Sequence, residues 1–374
     1  MLLLAQSPKY RSHVVDWMYN DISSAICKEQ YGGVPQSSVV LALVHLLHRW
    51  NKALELPQRV IRIVFLDFRK AFDLIDHNIL LDNCCKIGVR PGLIGWLASY
   101  LSERRQVTRF GDEYSTSRVI NGGVPQGSRI GPIAFVIHIN ALHAVIKDSE
   151  SNLTELSPGS ENDDDLTMFI DDSTLSEVLN VSNHVSGVQI GSAPVKVMKV
   201  KNFATEQKME PNLKKCKEML LDFRKDKTFI PSLTINDTTF ERVSSFKLLG
   251  LWIDDNLKWQ TKTDYIIRKA SKRLFLLKVL KKYGASVNDM RRFYISAIRP
   301  ILEYGAQVWH GGLTNAQSEC IEKVQKRALR IIYSEKDYEK ILSQAGIQSL
   351  KRRRIDMCID LIHKMSHPQH KLHY

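Results

Sequence analysis

The sequence contains no CxxC pair, and two of its six cysteines, Cys84 and Cys85, are adjacent. That usage supports neither a disulfide framework nor a zinc signature and fits reduced thiols. Long apolar runs are also lacking: none approaches the roughly 18 residues of a membrane span. Met1-Leu2-Leu3-Leu4 is too brief for the core of a signal peptide. The resulting expectation is an intracellular protein, nuclear or cytoplasmic and not secreted. No internal repeat is visible. What is present is bulk, because 374 residues at 44% apolar content exceed one compact domain, and two or three lobes are expected.

The formal charge of +13 is unevenly placed. Residues 226–374 carry 27 Lys and Arg against 15 Asp and Glu, whereas residues 1–225 carry 26 against 25. A basic lobe beside a neutral one points to a polyanion gripped by the first and worked on by the second. A solvated cationic surface is the plainer alternative.

Periodicity divides the chain further. Ser37 to Asn51 reads as a helix with Val40, Leu43, Val44 and Leu47 on one face, and helices are predicted at about 78–86 and 91–102. A polar hairpin spans Gln106 to Ile120 with its turn near Gly111-Asp112. Asn121 to Ser128 breaks all periodicity ahead of an apolar helix from about Ile130 to Ile146. Residues 148–165, with Pro158-Gly159, read as an acidic loop, and Gly187, Gly191 and Pro194 argue against one continuous helix over 181–211. Residues 246–259 read as a strand, a polar turn and the start of a second strand, with Asp254-Asp255-Asn256 as turn chemistry. Basic helices follow at about 262–282, 289–309 and 317–333. In the first, Ile266, Ala270, Leu274 and Leu277 form the buried stripe, and Arg268, Lys269, Lys272, Arg273, Lys281 and Lys282 stay in water.

Two strands end on acid. Ile61 to Leu66 runs into Asp67, and Leu166 to Ile170 runs into Asp171-Asp172. Carboxylates at the ends of apolar strands do nothing for strand stability. If the two ends meet, three carboxylates converge, a crowding that needs counter-charge, and divalent metal is the usual source. Asp163-Asp164-Asp165 reads as loop instead.

The motifs Phe65 to Asp73, Gly123 to Ser128, Phe169 to Asp172, Asn212 to Lys217 and Phe246 to Gly250 stand in an order and spacing that resembles reverse transcriptases. The likeness is to those of non-long-terminal-repeat (LINE, jockey-like) retrotransposons, and it runs from about residue 11 to 360. It implies an α+β right-hand polymerase, with a palm of antiparallel sheet and helices at 61–225 and remnant fingers at 1–60. A primer-grip hairpin at 226–260 and a basic helical thumb and tail at 261–374 complete it. The implied reaction is RNA-directed DNA synthesis by two-metal nucleotidyl transfer, using an RNA template, a DNA or RNA primer and dNTPs. Two Mg2+ ions, with Mn2+ as a substitute, are the implied cofactors.

The resemblance assigns both metals to Asp67 and Asp171, with Asp172 as an outer carboxylate. It puts the Phe68 N–H and the Phe72 ring at the incoming nucleotide, where the ring would clash with a 2′-OH and select a deoxynucleotide. Gln126 and Gly127 resemble the loop packing against that nucleotide. Lys215 corresponds to a proton donor to pyrophosphate, with Lys214 as its rival. Read without the family, Asp67 is a strand-end cap, Phe72 a core aromatic, 126–127 a helix-start turn and Lys215 a solvated charge.

Gln30-Tyr31-Gly32 already lies near the chain start, where complete enzymes of this kind carry triphosphate-holding fingers strands upstream, so truncation at the amino terminus is expected. A catalytically silent remnant that binds nucleic acid through its basic thumb is the alternative function, and a two-metal nuclease is a third. His363, His367, His370 and His373 read as a frayed tail more readily than as a zinc site. Lys351 to Arg354 reads as a helix-end charge cluster or a nuclear-localisation patch.

Overall fold

The computed structural model describes residues 8–147, 165–181, 191–225, 227, 229–368 and 370–372. Pro158-Gly159, Asp163, Asp164, Gly187 and His373 lie outside the described residues. Two compact units are present, one of residues 1–38 and 49–242, the other of 39–48 and 243–374.

The first unit contains α1 (Pro8–Ile22), the end of α2 (Val39–Leu54), β1 (Arg59–Leu66), α3 (His77–Ile87) and α4 (Pro91–Leu101). Four two-residue strands, β2 (Arg105–Gln106), β3 (Arg109–Phe110), β4 (Glu113–Tyr114) and β5 (Arg118–Val119), make the expected polar hairpin, with Gly111 at φ 61° in its turn. Next come α5 (Ile130–Ile139), α6 (Leu142–Lys147), β6 (Asp165–Phe169), β7 (Asp172–Asn180), α7 (Ala193–Glu206) and β8 (Lys217–Leu221). The short β9 (Thr234–Ile235), β10 (Thr238–Thr239) and β11 (Glu241–Arg242) close the unit. Of the 226–260 span assigned to a primer-grip hairpin, 226–242 therefore stays with the first unit, because β11 pairs with β8.

A five-stranded sheet in the order β11-β8-β1-β7-β6 organises this unit. Its central strand β1 is buried along almost its whole length, which is why the sequence there is an apolar run and not a clean alternation. Nine of the ten residues of α5 are buried, and its apolar side chains share one core cluster with Val64 and Leu66 of β1. The expectation that no apolar stretch approaches a membrane span needs correction here. The window Ile130–Lys147 has a mean hydropathy of 1.5 over 18 residues, yet 61% of it is buried inside the protein, and it serves as a core helix. It is also divided into α5 and α6, where one helix was expected. Pro194, read as an interruption, lies in the first turn of α7, where a missing N–H is harmless.

One charge breaks the apolar run of β1. Arg62 is 5% exposed and reaches Glu218 at 2.8 Å and Glu177 at 3.1 Å. Arg242 joins Glu218 at 3.1 Å, which locks β11 to β8 and gives the group two cations against two anions. Such a group is tolerated only when complete.

The second unit opens with the hairpin of β12 (Ser245–Leu248) and β13 (Leu251–Asp254). Its turn falls at Leu249 and Gly250, both at positive φ, and the expected polar turn follows at Asp254-Asp255-Asn256, closed by the Leu257 N–H to the Asp254 carbonyl at 2.9 Å. Asp254 is buried and accepts the Thr261 N–H. The helices are α8 (Gln260–Lys282), α9 (Val287–Phe293), α10 (Arg299–Glu303), α11 (Ala306–Trp309), α12 (Asn315–Tyr333), α13 (Tyr338–Ala345) and α14 (Leu350–Met365). The stripe of α8 is buried as expected, and Lys262 extends it. Its ammonium lies over the Trp309 ring, and burial, followed by the nearby Arg354 charge, holds its pKa well below the ordinary value. Arg273, expected in water, is half-buried and donates to the Ala297 carbonyl. Arg353 pairs with Glu303 and Arg354 is fully buried, so half of the Lys351 to Arg354 run serves packing.

Replacing Glu218 by leucine leaves two guanidinium groups short of a partner in the first unit. Glu218→Leu should cost about 3–5 kcal/mol, read as a lower urea midpoint. An unchanged midpoint would contradict the role given to this ion group.

Candidate active site

The end of β1 and the tip of the β6–β7 hairpin are brought together by strand register. β1 pairs antiparallel with β7, with Leu66 opposite Ser173, so the next rung sets Asp67 against Asp172. β7 pairs with β6 through Phe169 and Asp172, which leaves Ile170 and Asp171 as a two-residue turn. Asp67 and Asp171 are half-buried and Asp172 is exposed.

The electrostatics register this crowding. Desolvation by the protein packed around the carboxyl, although the residue as a whole stays exposed, pushes Asp172 up to about 6, with the charges of Asp171 and Asp67 adding to the effect. Asp171 is also raised, mainly by burial and then by Asp67, against the opposing pull of the backbone amides of Asp171 and Asp172. Among the described residues no cation offsets either shift. Clustered hard oxygens with unrelieved negative charge are the donor set that Mg2+ takes.

The hairpin turn carries strain. Ile170 has φ 59°, unfavourable for a β-branched side chain, and fits the first position of a type II′ turn. Gln30 braces it. This buried side chain accepts the Ile170 N–H at 3.0 Å and the Gly32 N–H at 2.9 Å through one oxygen. The surrounding backbone zips residues 29–31 onto β6, with Met168 N–H to Glu29 carbonyl at 3.0 Å and Tyr31 N–H to Met168 carbonyl at 2.8 Å. Gly32 has no alternative there, since a Cβ would fall 2.5 Å from the Ile170 nitrogen. Sequence reasoning used Gln30-Tyr31-Gly32 only as a landmark. The available signal was a glutamine and a glycine beside a hydrophobic ring in a segment of no clear period.

The other expected site residues gather around the same end of β1. Asp67 carbonyl accepts Asn212 N–H at 2.8 Å, and Arg69 N–H donates to Glu210 carbonyl at 2.8 Å, so the chain past β1 pairs with residues 210–212. These two bonds use one edge, which turns the intervening Phe68 N–H to the opposite edge, the side of β7 and the carboxylates. Lys215 is exposed on the turn closed by its N–H to Asn212 carbonyl, and Lys214 is exposed beside it. Phe72 is half-buried, its ring tilted 31° against Phe135 at 5.2 Å. Gly123 and Val124 donate to the Ile75 and Phe72 carbonyls, which ties the 123–128 loop to the turn after β1. Gln126 donates to the Asp73 carboxylate at 3.2 Å, and Gly127, at φ 77°, has open space where a Cβ would stand. All eight expected residues lie in the first unit.

Residues 6–253, about two thirds of the chain, match the family described as "Reverse transcriptase (RNA-dependent DNA polymerase)", and the chain belongs to that family. It is 25% identical over 353 residues to the "Probable RNA-directed DNA polymerase from transposon BS" of Drosophila melanogaster, which covers 88% of this chain and 35% of that protein. It is likewise 25% identical over 316 residues to the "RNA-directed DNA polymerase from mobile element jockey" of the same fly, covering 83% of this chain and 32% of the relative. The chain thus spans about a third of the length of these curated relatives. A solved telomerase of Candida albicans in complex with a TWJ fragment of telomeric RNA is similar at 12% identity, over 91% of this chain and 57% of that one. Its TM-score of 0.44 is too low to carry weight.

Two outcomes follow for the metal-free protein. The folded state holds the Asp172 proton up to about pH 6, against an ordinary carboxyl value of 3.8, so ionisation of Asp172 opposes folding above pH 6 and ceases to do so as pH falls toward 4. Asp172→Asn should therefore raise stability at pH 7.5 in EDTA by about 1 kcal/mol once solvent screening of an exposed group is allowed for, read as a higher melting temperature. The gain should vanish near pH 4; a pH-independent difference would contradict the assignment. Gln30→Ala removes the shared acceptor, and the Ile170 and Gly32 amides should then lose hydrogen-exchange protection, whereas retained protection would show that the brace lies elsewhere.

Proposed function

We propose that this chain supplies the nucleotidyl-transfer domain of an RNA-directed DNA polymerase of a non-long-terminal-repeat retrotransposon, working inside the cell. The observation that carries this reading is the register that sets Asp67 beside Asp171 and Asp172, with no cation among the described residues offsetting the raised carboxyls of Asp171 and Asp172. Two Mg2+ ions, or Mn2+ in their place, would supply Lewis acidity to the primer 3′-OH and neutralise charge on the departing pyrophosphate. Asp67 and Asp171 would hold both ions, and Asp172 would add charge from the outer side. The Phe68 N–H is suited to a triphosphate oxygen. The Phe72 ring, anchored on Phe135, would exclude a 2′-OH, and the open face at Gly127 with the Gln126 side chain would receive the nucleotide. Lys215 is the proposed proton donor to pyrophosphate.

In the same reading residues 61–225 are the palm, 1–60 belong to the fingers, 226–260 form the primer grip and 261–374 the thumb. Support for a backbone-gripping thumb comes from α8, whose outer face exposes Arg268, Lys269 and Lys272 beside Phe275 at 67% exposure. Cations paired with an exposed ring suit a sugar-phosphate backbone without base preference.

Primer extension by the purified chain on an RNA template, with a DNA primer, dNTPs and Mg2+, tests the proposal. Synthesis should fall roughly a hundred- to thousandfold or more in Asp171→Asn. Duplex affinity should be unchanged in that variant and weaken steeply with salt. Synthesis that survives Asp171→Asn overturns the metal assignment. Duplex binding without synthesis by the wild type favours a silent nucleic-acid binder, and cleavage without added nucleotide favours a nuclease.

A further inference from the structure

A second cluster of ligand-type side chains lies behind the catalytic hairpin. Cys27 Sγ is 3.0 Å from Glu29 Oε2, His143 Nε2 is 3.2 Å from the same oxygen, and the three donor atoms all lie within 4.8 Å of one another. In a tetrahedral zinc site, with Zn–S near 2.3 Å and Zn–N or Zn–O near 2.0–2.1 Å, adjacent donors stand about 3.3–3.6 Å apart. These side chains are therefore close to that spacing already. His143 and Glu29 keep 13% and 20% exposure, enough for a water to complete the coordination.

The backbone carrying these ligands is held. Cys27 N–H donates to Asn140 Oδ1 at 2.9 Å, and Asn140 Nδ2 donates to the Ala25 carbonyl at 2.9 Å, which pins the 25–27 turn to the junction of α5 and α6. His143 stands in the first turn of α6. Gln30 N–H closes back on the Cys27 carbonyl at 3.1 Å, so Cys27 and Glu29 project from one tight turn. Preorganised ligands lose little freedom on binding.

We infer that Cys27, Glu29 and His143 bind one Zn2+ ion, with water as the fourth ligand, and staple the 27–29 turn to α6. The mixed sulfur, nitrogen and oxygen set is suited to zinc and unsuited to Mg2+, unlike the all-oxygen set of Asp67, Asp171 and Asp172. The thiol gives up its proton when the metal enters, the proton passing to solvent. Lys147 Nζ, 4.0 Å from the other Glu29 oxygen, remains on the far side of that carboxylate. The staple sits one peptide away from Gln30, and the Glu29 carbonyl itself accepts the Met168 N–H, so metal occupancy stiffens the segment that braces Ile170. This inference stands on Cys27, Glu29 and His143 alone and holds whether or not the chain polymerises.

Cobalt(II) titration of the metal-stripped full chain tests it. One equivalent should give visible ligand-field bands of a tetrahedral centre and a thiolate charge-transfer band in the near ultraviolet, both erased by Zn2+ and untouched by excess Mg2+. Cys27→Ser should abolish the charge-transfer band, and His143→Ala should weaken affinity at least about tenfold. Asp171→Asn should leave both bands intact, and circular dichroism of each variant checks its fold. No charge-transfer band in the folded wild type, or the same band in Cys27→Ser, overturns the site and leaves a hydrogen-bonded trio.

Discussion

The register between two antiparallel strands is the constraint from which the rest of this protein follows. A one-residue slip of β7 against β1 would send the side chains of one strand to the opposite face and separate Asp172 from Asp67. The Arg62 pairing with Glu177 of β7 opposes that slip, because a shifted register would leave buried charges short of their partners. The cost is a knot of like charge at the strand ends, visible as the upward shifts of Asp171 and Asp172. A site that raises carboxyl pKa values in the empty state stores affinity for whatever cation relieves them.

The supporting structure is arranged around that knot. On one side, residues 210–212 hold the chain just after Asp67. On another, Gln30 and Gly32 hold the strained residue just before Asp171. Deeper in the sheet, Arg62 ties β1 to Glu177 on β7 and Glu218 on β8, so the strands that deliver the acids are joined by charge as well as by ladder bonds. None of these supports is a bond to the carboxylates of Asp67, Asp171 or Asp172, and among the described residues no cation offsets the upward shifts of Asp171 and Asp172.

Much of this was legible in the sequence, for identifiable reasons. Acids terminating apolar runs mark Asp67 and Asp171, because nothing in strand stability favours them there. The α8 stripe was legible from period alone, and the same period extended by one turn reaches Lys262, although its charge argued for water. Gln30 was not legible as a brace, because its contact with Ile170 joins residues 140 positions apart and depends on a strand pairing that no local pattern encodes. The turn at Asp254-Asp255-Asn256 was legible from its composition, but the burial of Asp254 was not, because it depends on β13 running into α8. The partners of Arg62 lie in separate strands, so only the lone charge in an apolar run hinted at them.

Family membership and the carboxylate geometry bear on the same three residues, Asp67, Asp171 and Asp172, by different routes. The motif match concerns order along the chain, while the register concerns meeting in space. The sharpest test of that meeting is Mn2+ binding followed by electron paramagnetic resonance in Asp67→Asn, Asp171→Asn and the double variant. If the acids share ions, each single change should weaken binding strongly, and the double variant should lose clearly less than the sum of the two. Losses that simply add, or an Asp67→Asn variant that binds as wild type does, would mean that the two strand ends do not form one centre.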